Sequence, residues 1–598
     1  MSLTIQLLGR PRIDRTDGDH YQFRSRKSWA ALAYLLLSER PPTRNRLAAL
    51  LFAEADDPLR ALRWSLSEIR RCLGDEGTLD GDPLVLRLPA DAVVDVEVVA
   101  HGSWAAAVDL PGLGAELLDG ITVRGAPAYE SWLLSECRRL SAASEAILHE
   151  AAVCSMSDGT LDEACGYAAR AAAMSPLDEN HQALLIRLYR LAGADDAARR
   201  QFAAVTELFG KELGVPPGIA IAEAMREVRR EPELDPDEAS VEAVIEAGSA
   251  AVAAGAFEAG VRSLRTSVRL ADRTKADRLR LDSRLRLAEA LIHSLRGLDE
   301  EGLATLHEAD RIAMAAGDRA AVAQARAEIG YVDYLRARYD RAELWLTEAL
   351  DFGRDAPQIV AKATIYLGCL ESDRADYPKA SALLTQAVTL AGTLGDPRRA
   401  AYALAMLGRI DLLTGDLGAA EEHLDASIDL AERDHWLAFL PWAQALRGEV
   451  HLARGDSIAA GDILQQAFAR ACQLGDPCWE GLSARGLALV AEATGRTERA
   501  FALLSDARVR CNRLADPYVW LEVYILDAQC ELGRRHGHPD TLLWIDSMRR
   551  IASRTGMREL TVRSMLHGAA LGCRGDGPAA GLLATGIQNP ALTALLAA

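Results

Sequence analysis

Hydrophobic and polar positions follow three different rhythms along this chain. Residues 3 to 8 (Leu-Thr-Ile-Gln-Leu-Leu) and Tyr21 to Phe23 are short apolar runs around the turn signal Asp17-Gly18-Asp19, and predict two strands of a small sheet. Three helical patterns follow: Ser28 to Ser38, Thr43 to Phe52 after Pro41-Pro42, and Pro58 to Leu73 after Asp56-Asp57. Asp57 before Pro58 is a helix cap followed by a proline in the first turn. Leu84 to Leu88, the turn Pro89-Ala90-Asp91 and Val93 to Asp95 predict a closing hairpin. A sheet, three helices and a hairpin in this order predict a winged helix-turn-helix.

From Tyr129 the rhythm becomes helical, with helices expected at Tyr129–Met156, Thr160–Ala173, Asp178–Leu191 and Asp195–Leu213. Ser175 with Pro176 reads as the start of one helix, and Gly214 with Pro216 as the end of another. Arg230 to Glu238 is acidic, holds two prolines and one apolar residue, and reads as a linker. Beyond it the chain repeats itself. Ala380, Ala420, Ala460 and Ala500 recur, and so do Leu384, Leu424, Leu464 and Leu504. Ala342 with Leu346, Gly302 with Leu306 and Gly260 with Leu264 continue the series towards the amino terminus, and Thr541, Ile545 and Met548 form a weaker copy. A small residue four positions before a leucine lets paired helices approach closely, and pairs such as Gly395-Asp396 close the turns between them. The expected fold is therefore predominantly α. It has a winged helix at 1–98, a helical domain at 99–230, a linker at 231–239 and an α-solenoid of tetratricopeptide-like hairpins at 240–598, whose concave groove can take a peptide, a small molecule or a second copy of the chain.

Composition agrees with large cores: 49% of the 598 residues are hydrophobic, and only 5% are aromatic. The chain shows no apolar run long enough to span a membrane and no amino-terminal signal pattern, so a soluble, cytoplasmic protein without membrane contact is expected. Its ten cysteines lack any paired spacing and read as reduced thiols in helices.

The net charge of −19 disfavours nucleic acid unless basic groups are concentrated locally. They are: Met1 to Leu73 holds 13 basic residues against 8 acidic ones. In the Pro58–Leu73 helix, Leu59, Leu62, Leu66, Ile69 and Leu73 fall on one side and are expected to be buried. Arg60, Ser67 and Arg71 fall opposite, with Arg63 and Arg70 on a flank. Guanidinium groups on such a face can grip guanine edges or neutralise phosphates; a solvated arginine-rich face is the ordinary alternative. Trp64 can stack on sugar or base, although packing under the hairpin is the stronger expectation for an aromatic ring. Thr43, Arg44 and Arg46 at the second helix, Arg24, Arg26 and Lys27 before the first, and Arg87 on the hairpin are candidate phosphate contacts.

The segments Arg26-Lys27-Ser28-Trp29-Ala30-Ala31-Leu32-Ala33-Tyr34-Leu35-Leu36, Arg46 to Phe52 and Leu62 to Leu73 resemble the amino-terminal domain of the Streptomyces antibiotic regulatory protein family. Leu117-Leu118-Asp119-Gly120, Trp132-Leu133, Ser175 to Glu179 with His181, and Glu212 to Pro216 resemble the bacterial transcriptional activation domain that follows it in that family. The repeats, longer than standard tetratricopeptide units, are similar to those of large activators resembling MalT. The resemblance implies an OmpR-type winged helix whose third helix enters the major groove at promoter direct repeats, carried here by Arg60, Arg63, Ser67, Arg70 and Arg71, with Trp64 where a smaller residue is expected. It also implies RNA polymerase holoenzyme and a further copy of the chain as partners, secondary-metabolite genes as targets and the bacterial nucleoid as location.

Catalytic and cofactor signatures do not occur. The chain lacks a phosphate-binding GxxxxGK[ST] loop, HExxH and GxSxG, so no enzyme activity, cofactor or metal is expected. His536-Gly537-His538 reads as a loop, and Glu300-Glu301 and Glu421-Glu422 as solvated faces. The main competing expectation is a repeat scaffold or ligand sensor whose winged helix binds protein instead of DNA.

Overall fold

The computed structural model describes residues 3–15, 20–38, 40–74, 77–89, 91–225, 237–253, 257–294, 299–513 and 516–597. The expected turn at 17–19 and most of the expected linker lie outside the described residues. Two compact units are present, one formed by 1–147 with 530–587 and 593–598, the other by 148–529 with 588–592.

The first unit opens with β1 (Leu3–Gln6), β2 (Arg12–Arg15) and β3 (His20–Tyr21), followed by α1 (Arg26–Leu37), α2 (Arg44–Phe52) and α3 (Pro58–Leu73). Next come β4 (Thr78–Asp80), β5 (Val85–Arg87), β6 (Val93–Val94), and helices α4 (Asp95–His101) and α5 (Trp104–Ala107). The closing hairpin differs from expectation. β5 pairs antiparallel with β4, placing Leu79 opposite Leu86, whereas Val94 lies beside Ile5 in a parallel pairing of β6 with β1. The sheet order is β3-β2-β1-β6.

Asp95, expected to end the hairpin, starts α4 instead. Its buried carboxylate accepts the backbone N–H groups of Leu7 and Leu8 at 2.8 Å and of Val96 at 2.7 Å, tying the end of β1 to the new helix. Burial raises the Asp95 pKa and these amides oppose the rise.

Each of the three central helices begins at a polar cap: Ser25 accepts from Lys27 N–H, Thr43 from Arg46 N–H and Asp57 from Arg60 N–H. In the core of this unit, Tyr129 Oη donates to the Ala30 carbonyl, and the Tyr34 and Trp132 rings meet edge-on at 4.8 Å.

The long α6 (Pro127–Asp158) leads to α7 (Leu161–Met174), α8 (Glu179–Leu191), α9 (Asp195–Glu212) and α10 (Ile219–Ala224). Pro176 does not start a helix. Ser175 ends α7, and Asp178 caps α8 by accepting from the N–H groups of Asn180 and His181.

In the second unit, hairpins follow in series, among them Arg319–Leu335 with Tyr339–Phe352, Pro357–Asp373 with Tyr377–Leu394, and Pro397–Thr414 with Leu417–Arg433. The repeating Ala380, Leu384, Ala420, Leu424, Ala460 and Leu464 have no exposed surface. Each of these leucines sits against a glycine of the preceding helix. A Cβ on Gly368, Gly408 or Gly448 would lie 2.7, 2.6 and 2.6 Å from the Cγ of Leu384, Leu424 and Leu464. The glycines repeat with the leucines because the helix axes approach too closely for a methyl group. At the turns Gly395 ends one helix with φ +64°, and Asp396 caps the next.

Candidate nucleic-acid interface and the polar interior of the repeats

The structure divides the α3 residues into two sets. Leu62, Leu66, Ile69 and Leu73 are buried as expected, but Leu59 is 42% exposed because it lies in the first turn, beyond the reach of the core. Arg60, Arg63, Ser67 and Arg71 are exposed together on the opposite face. Trp64 does not pack under the hairpin: it is 54% exposed in the middle of those four residues. The hairpin is instead held by Arg70, whose Nε donates to the Leu79 carbonyl at 2.8 Å and whose guanidinium lies 3.7 Å from Asp80. Arg63 Nε reaches back to the Leu59 carbonyl at 3.3 Å.

The candidate phosphate contacts separate similarly. Arg24, Arg26 and Arg87 are exposed. Lys27 is half-buried, with its ammonium 4.9 Å from the centre of the Phe52 ring. The first free amide of α2, on Arg44, is taken by the Asp82 carboxylate at 2.9 Å, and Arg44 Nε donates to the Gly81 carbonyl. Arg46 donates to the Leu582 carbonyl at 2.8 Å, and the Thr43 hydroxyl accepts from Arg46 N–H. These bonds turn the start of α2 towards protein partners.

A polar network lies wholly inside the second unit. Arg336 donates from Nε to Asp516 Oδ1 at 2.8 Å and from Nη2 to Glu300 Oε2 at 3.1 Å. His149 Nε2 lies 3.2 Å from Glu300 Oε1, and His149 Nδ1 is 3.0 Å from His181 Nδ1. Glu300 is thus buried, contrary to the solvated face expected for Glu300-Glu301: only 2% of it is exposed, because Arg336 and His149 supply the partners that water would. Glu421 too is engaged, in ion pairs with Arg447 and Arg454, while Glu422 is exposed. Burial pushes the His149 pKa down to about 4, with Glu300 opposing. Burial would raise the Glu300 carboxyl, but His149 and Arg336 outweigh it and hold it well below the usual range.

A second cluster surrounds Tyr518. Arg409, with no exposed surface, donates to Tyr518 Oη at 2.7 Å and to Asp373 Oδ1 at 2.6 Å, and its guanidinium stacks 4.3 Å from the Trp520 ring centre. Tyr334 and Tyr518 hydroxyls are 2.7 Å apart, and Tyr339 donates to Asp373. At this level of the repeats, side chains of the protein itself occupy the interior. Neither cluster is visible in the sequence, since their members lie in different hairpins.

All ten cysteines are free thiols. Burial pushes Cys72 and Cys369 up to about 12, which keeps them protonated and unreactive. His538 lies in a turn and stacks on Trp544 at 4.5 Å. Among the described residues no helix is long and apolar enough to cross a membrane.

Residues 93–229 match the family model of the bacterial transcriptional activator domain, so this part of the chain carries that domain. No curated protein matches the chain. Among solved structures, a Rap protein complexed with competence and sporulation factor is 12% identical over 60% of this chain and 99% of its own, with a TM-score of 0.45. A signal transduction ATPase with numerous domains and a tetratricopeptide repeat sensor, from Pyrococcus horikoshii, is 16% identical over 53% of this chain and 48% of its own, with a TM-score of 0.35. Yeast Tom70 is 13% identical over 70% of this chain and 94% of its own, with a TM-score of 0.30.

Proposed function

We propose that the protein is a sequence-specific DNA-binding transcriptional activator, with α1–α3 and the β4–β5 hairpin serving as an OmpR-type winged helix. The observation that carries this reading is the exposed face of α3, where Arg60, Arg63, Ser67 and Arg71 stand together in a chain that is otherwise acidic. An α-helix fits the major groove, and guanidinium groups match both guanine edges and phosphates. Arg24, Arg26 and Arg87 provide further exposed charge for the backbone. The activator domain at 93–229 supports the regulatory half of the reading and a non-enzymatic role.

In this account α3 docks in the major groove at tandem sites upstream of a promoter, in the manner implied by the resemblance to antibiotic regulatory proteins. The activator domain then engages RNA polymerase holoenzyme and a second protomer, and the target is a secondary-metabolite gene cluster. The protein works in the cytoplasm on the nucleoid, and the repeats modulate it by taking a peptide or small-molecule ligand. Run-off transcription from promoter fragments of the neighbouring genes, with purified RNA polymerase holoenzyme, tests this. The reading expects more transcript from one fragment when the protein is added and none of that gain with Arg63→Ala/Arg71→Ala; equal transcript with and without protein on every fragment contradicts it.

A further inference from the structure

Trp64 is the exposed aromatic side chain of α3, flanked by Arg60 and Arg63 before it and Ser67 and Arg71 after it, while the other exposed apolar residue of the helix, Leu59, lies in its first turn. The hairpin does not cover it and is held by Arg70. Two properties of an indole limit what it can meet at this place. It has an apolar body, and its only polar group is an N–H donor. In the major groove the one apolar feature is the thymine C5 methyl, and beside it stands O4, an acceptor. Guanine and adenine also present acceptors there, but neither carries an apolar group beside them, and cytosine presents an amino donor, which an indole N–H cannot use.

We propose that Trp64 reads thymine, so that this face recognises duplexes in which a thymine methyl lies between guanine-bearing base pairs reached by the arginines. The inference rests on the DNA-binding reading above. The spacing is compatible: at 1.5 Å per residue, Arg60 lies about 6 Å along α3 from Trp64, roughly two base-pair steps of 3.4 Å, and Arg71 about 10 Å away, roughly three.

The test begins with selection of duplexes from a random library by the full-length protein. Each thymine of the selected site is then replaced in turn by deoxyuridine, which removes only the methyl group, and binding is measured by fluorescence anisotropy. One replacement is expected to weaken wild-type binding about fourfold, equivalent to ~0.8 kcal/mol for one buried methyl. The same replacement leaves Trp64→Ala unchanged, because the partner of the methyl is already gone. Trp64→Ala removes an exposed side chain, and circular dichroism checks that its helices are intact.

If no thymine responds, or wild type and Trp64→Ala lose equally at every position, the inference is overturned while selection of a site leaves the DNA-binding reading intact. If Trp64→Ala instead abolishes self-association and leaves the deoxyuridine series as in the wild type, Trp64 is an interface between copies, and the inference is again overturned. If no duplex is enriched at all, the DNA-binding reading itself falls and takes this inference with it.

Discussion

Asn180 and Asp516 are 336 positions apart in the sequence, yet Asn180 Nδ2 donates to Asp516 Oδ1 at 2.7 Å. The same carboxylate oxygen accepts from Arg336, so one Asp joins α8 of the activator domain to the residue that ends the helix Arg319–Leu335 of the repeats. Residues 148–229 and the repeats up to 529 accordingly belong to one compact unit.

Removal of Asp516 leaves the buried Arg336 hydrogen-bonded to Glu300, with Asp299 nearby. Truncating one partner of a buried pair typically costs about 3–5 kcal/mol, because the other charge stays behind without water. Asp516→Ala is expected to destabilise the second unit by that order, and Asp516→Asn by less, since the amide keeps an acceptor. Amide hydrogen exchange in α8 and in Arg319–Leu335 reads the loss directly; unchanged protection in both helices contradicts the role given to Asp516.

The glycine and leucine of each hairpin form a second testable pair. Gly408→Ala forces its new methyl against Leu424 Cγ and is expected to cost about 1–3 kcal/mol, as overpacking does. Leu424→Ala, which opens a cavity at a fully buried site, is expected to cost about 2–5 kcal/mol. The double variant should be less destabilised than the two changes added together, because each relieves the defect of the other. Additive losses in urea unfolding would show that the two side chains do not share this space.

Acid should weaken the second unit through His149. Its pKa is about 4 in the folded protein and near 6.5 when unfolded, so between these values the unfolded chain binds more protons. Stability therefore falls as pH drops from about 6.5 to 4, by up to about 3 kcal/mol from this residue. His307, pushed down to about 3 by burial, acts in the same direction. Glu150, raised to about 7 by burial against Arg341, acts in the opposite direction from about pH 4.5 to 7. Comparing urea unfolding of wild type and His149→Gln at pH 7 and pH 5 isolates the histidine. The variant is expected to have the shallower dependence, and identical slopes contradict the assignment.

How much of this is legible in the sequence depends on the range of the interactions. The limits of α3 can be read because Asp57 and Gly74 are local signals that the structure uses as caps, with Pro58 in the first turn. The pairing of the closing hairpin cannot. Thr78 to Asp80 is a short, largely exposed strand with one buried residue, Leu79, whereas the more apolar Val93-Val94 is drawn into the sheet beside β1. The repeat is visible in its leucines, and the same interval applied to Gly368, Gly408 and Gly448 exposes their partners. Glu300 gives no local sign of burial, since its partners His149 and Arg336 come from distant helices. Trp64 departs from expectation because its position on α3 faces solvent among the arginines, while the contact with the hairpin is made by Arg70 from another side of the helix.

Arg70 and Arg71 are neighbours with different expected roles. Arg70→Ala removes the bond to the Leu79 carbonyl and is expected to loosen the hairpin, at about 1 kcal/mol, while leaving the salt dependence of DNA binding as it was. Arg71→Ala is expected to leave stability unchanged and to flatten that dependence. A thermal melt beside an anisotropy series separates the two, and the reverse assignment of effects would contradict the division of α3 described above.

The central claim is that the exposed arginines of α3 hold DNA, and fluorescence anisotropy of the full-length protein against promoter fragments flanking its own gene, over a salt series, tests it most directly. Removing an arginine that neutralises a phosphate should reduce the slope of log K against log salt by about 0.9, and removing one that grips a base should cost ~1–3 kcal/mol on the preferred fragment. The account predicts tight binding to one fragment that collapses with Arg63→Ala/Arg71→Ala. Weak binding, equal on all fragments and unaltered by that variant, would contradict it.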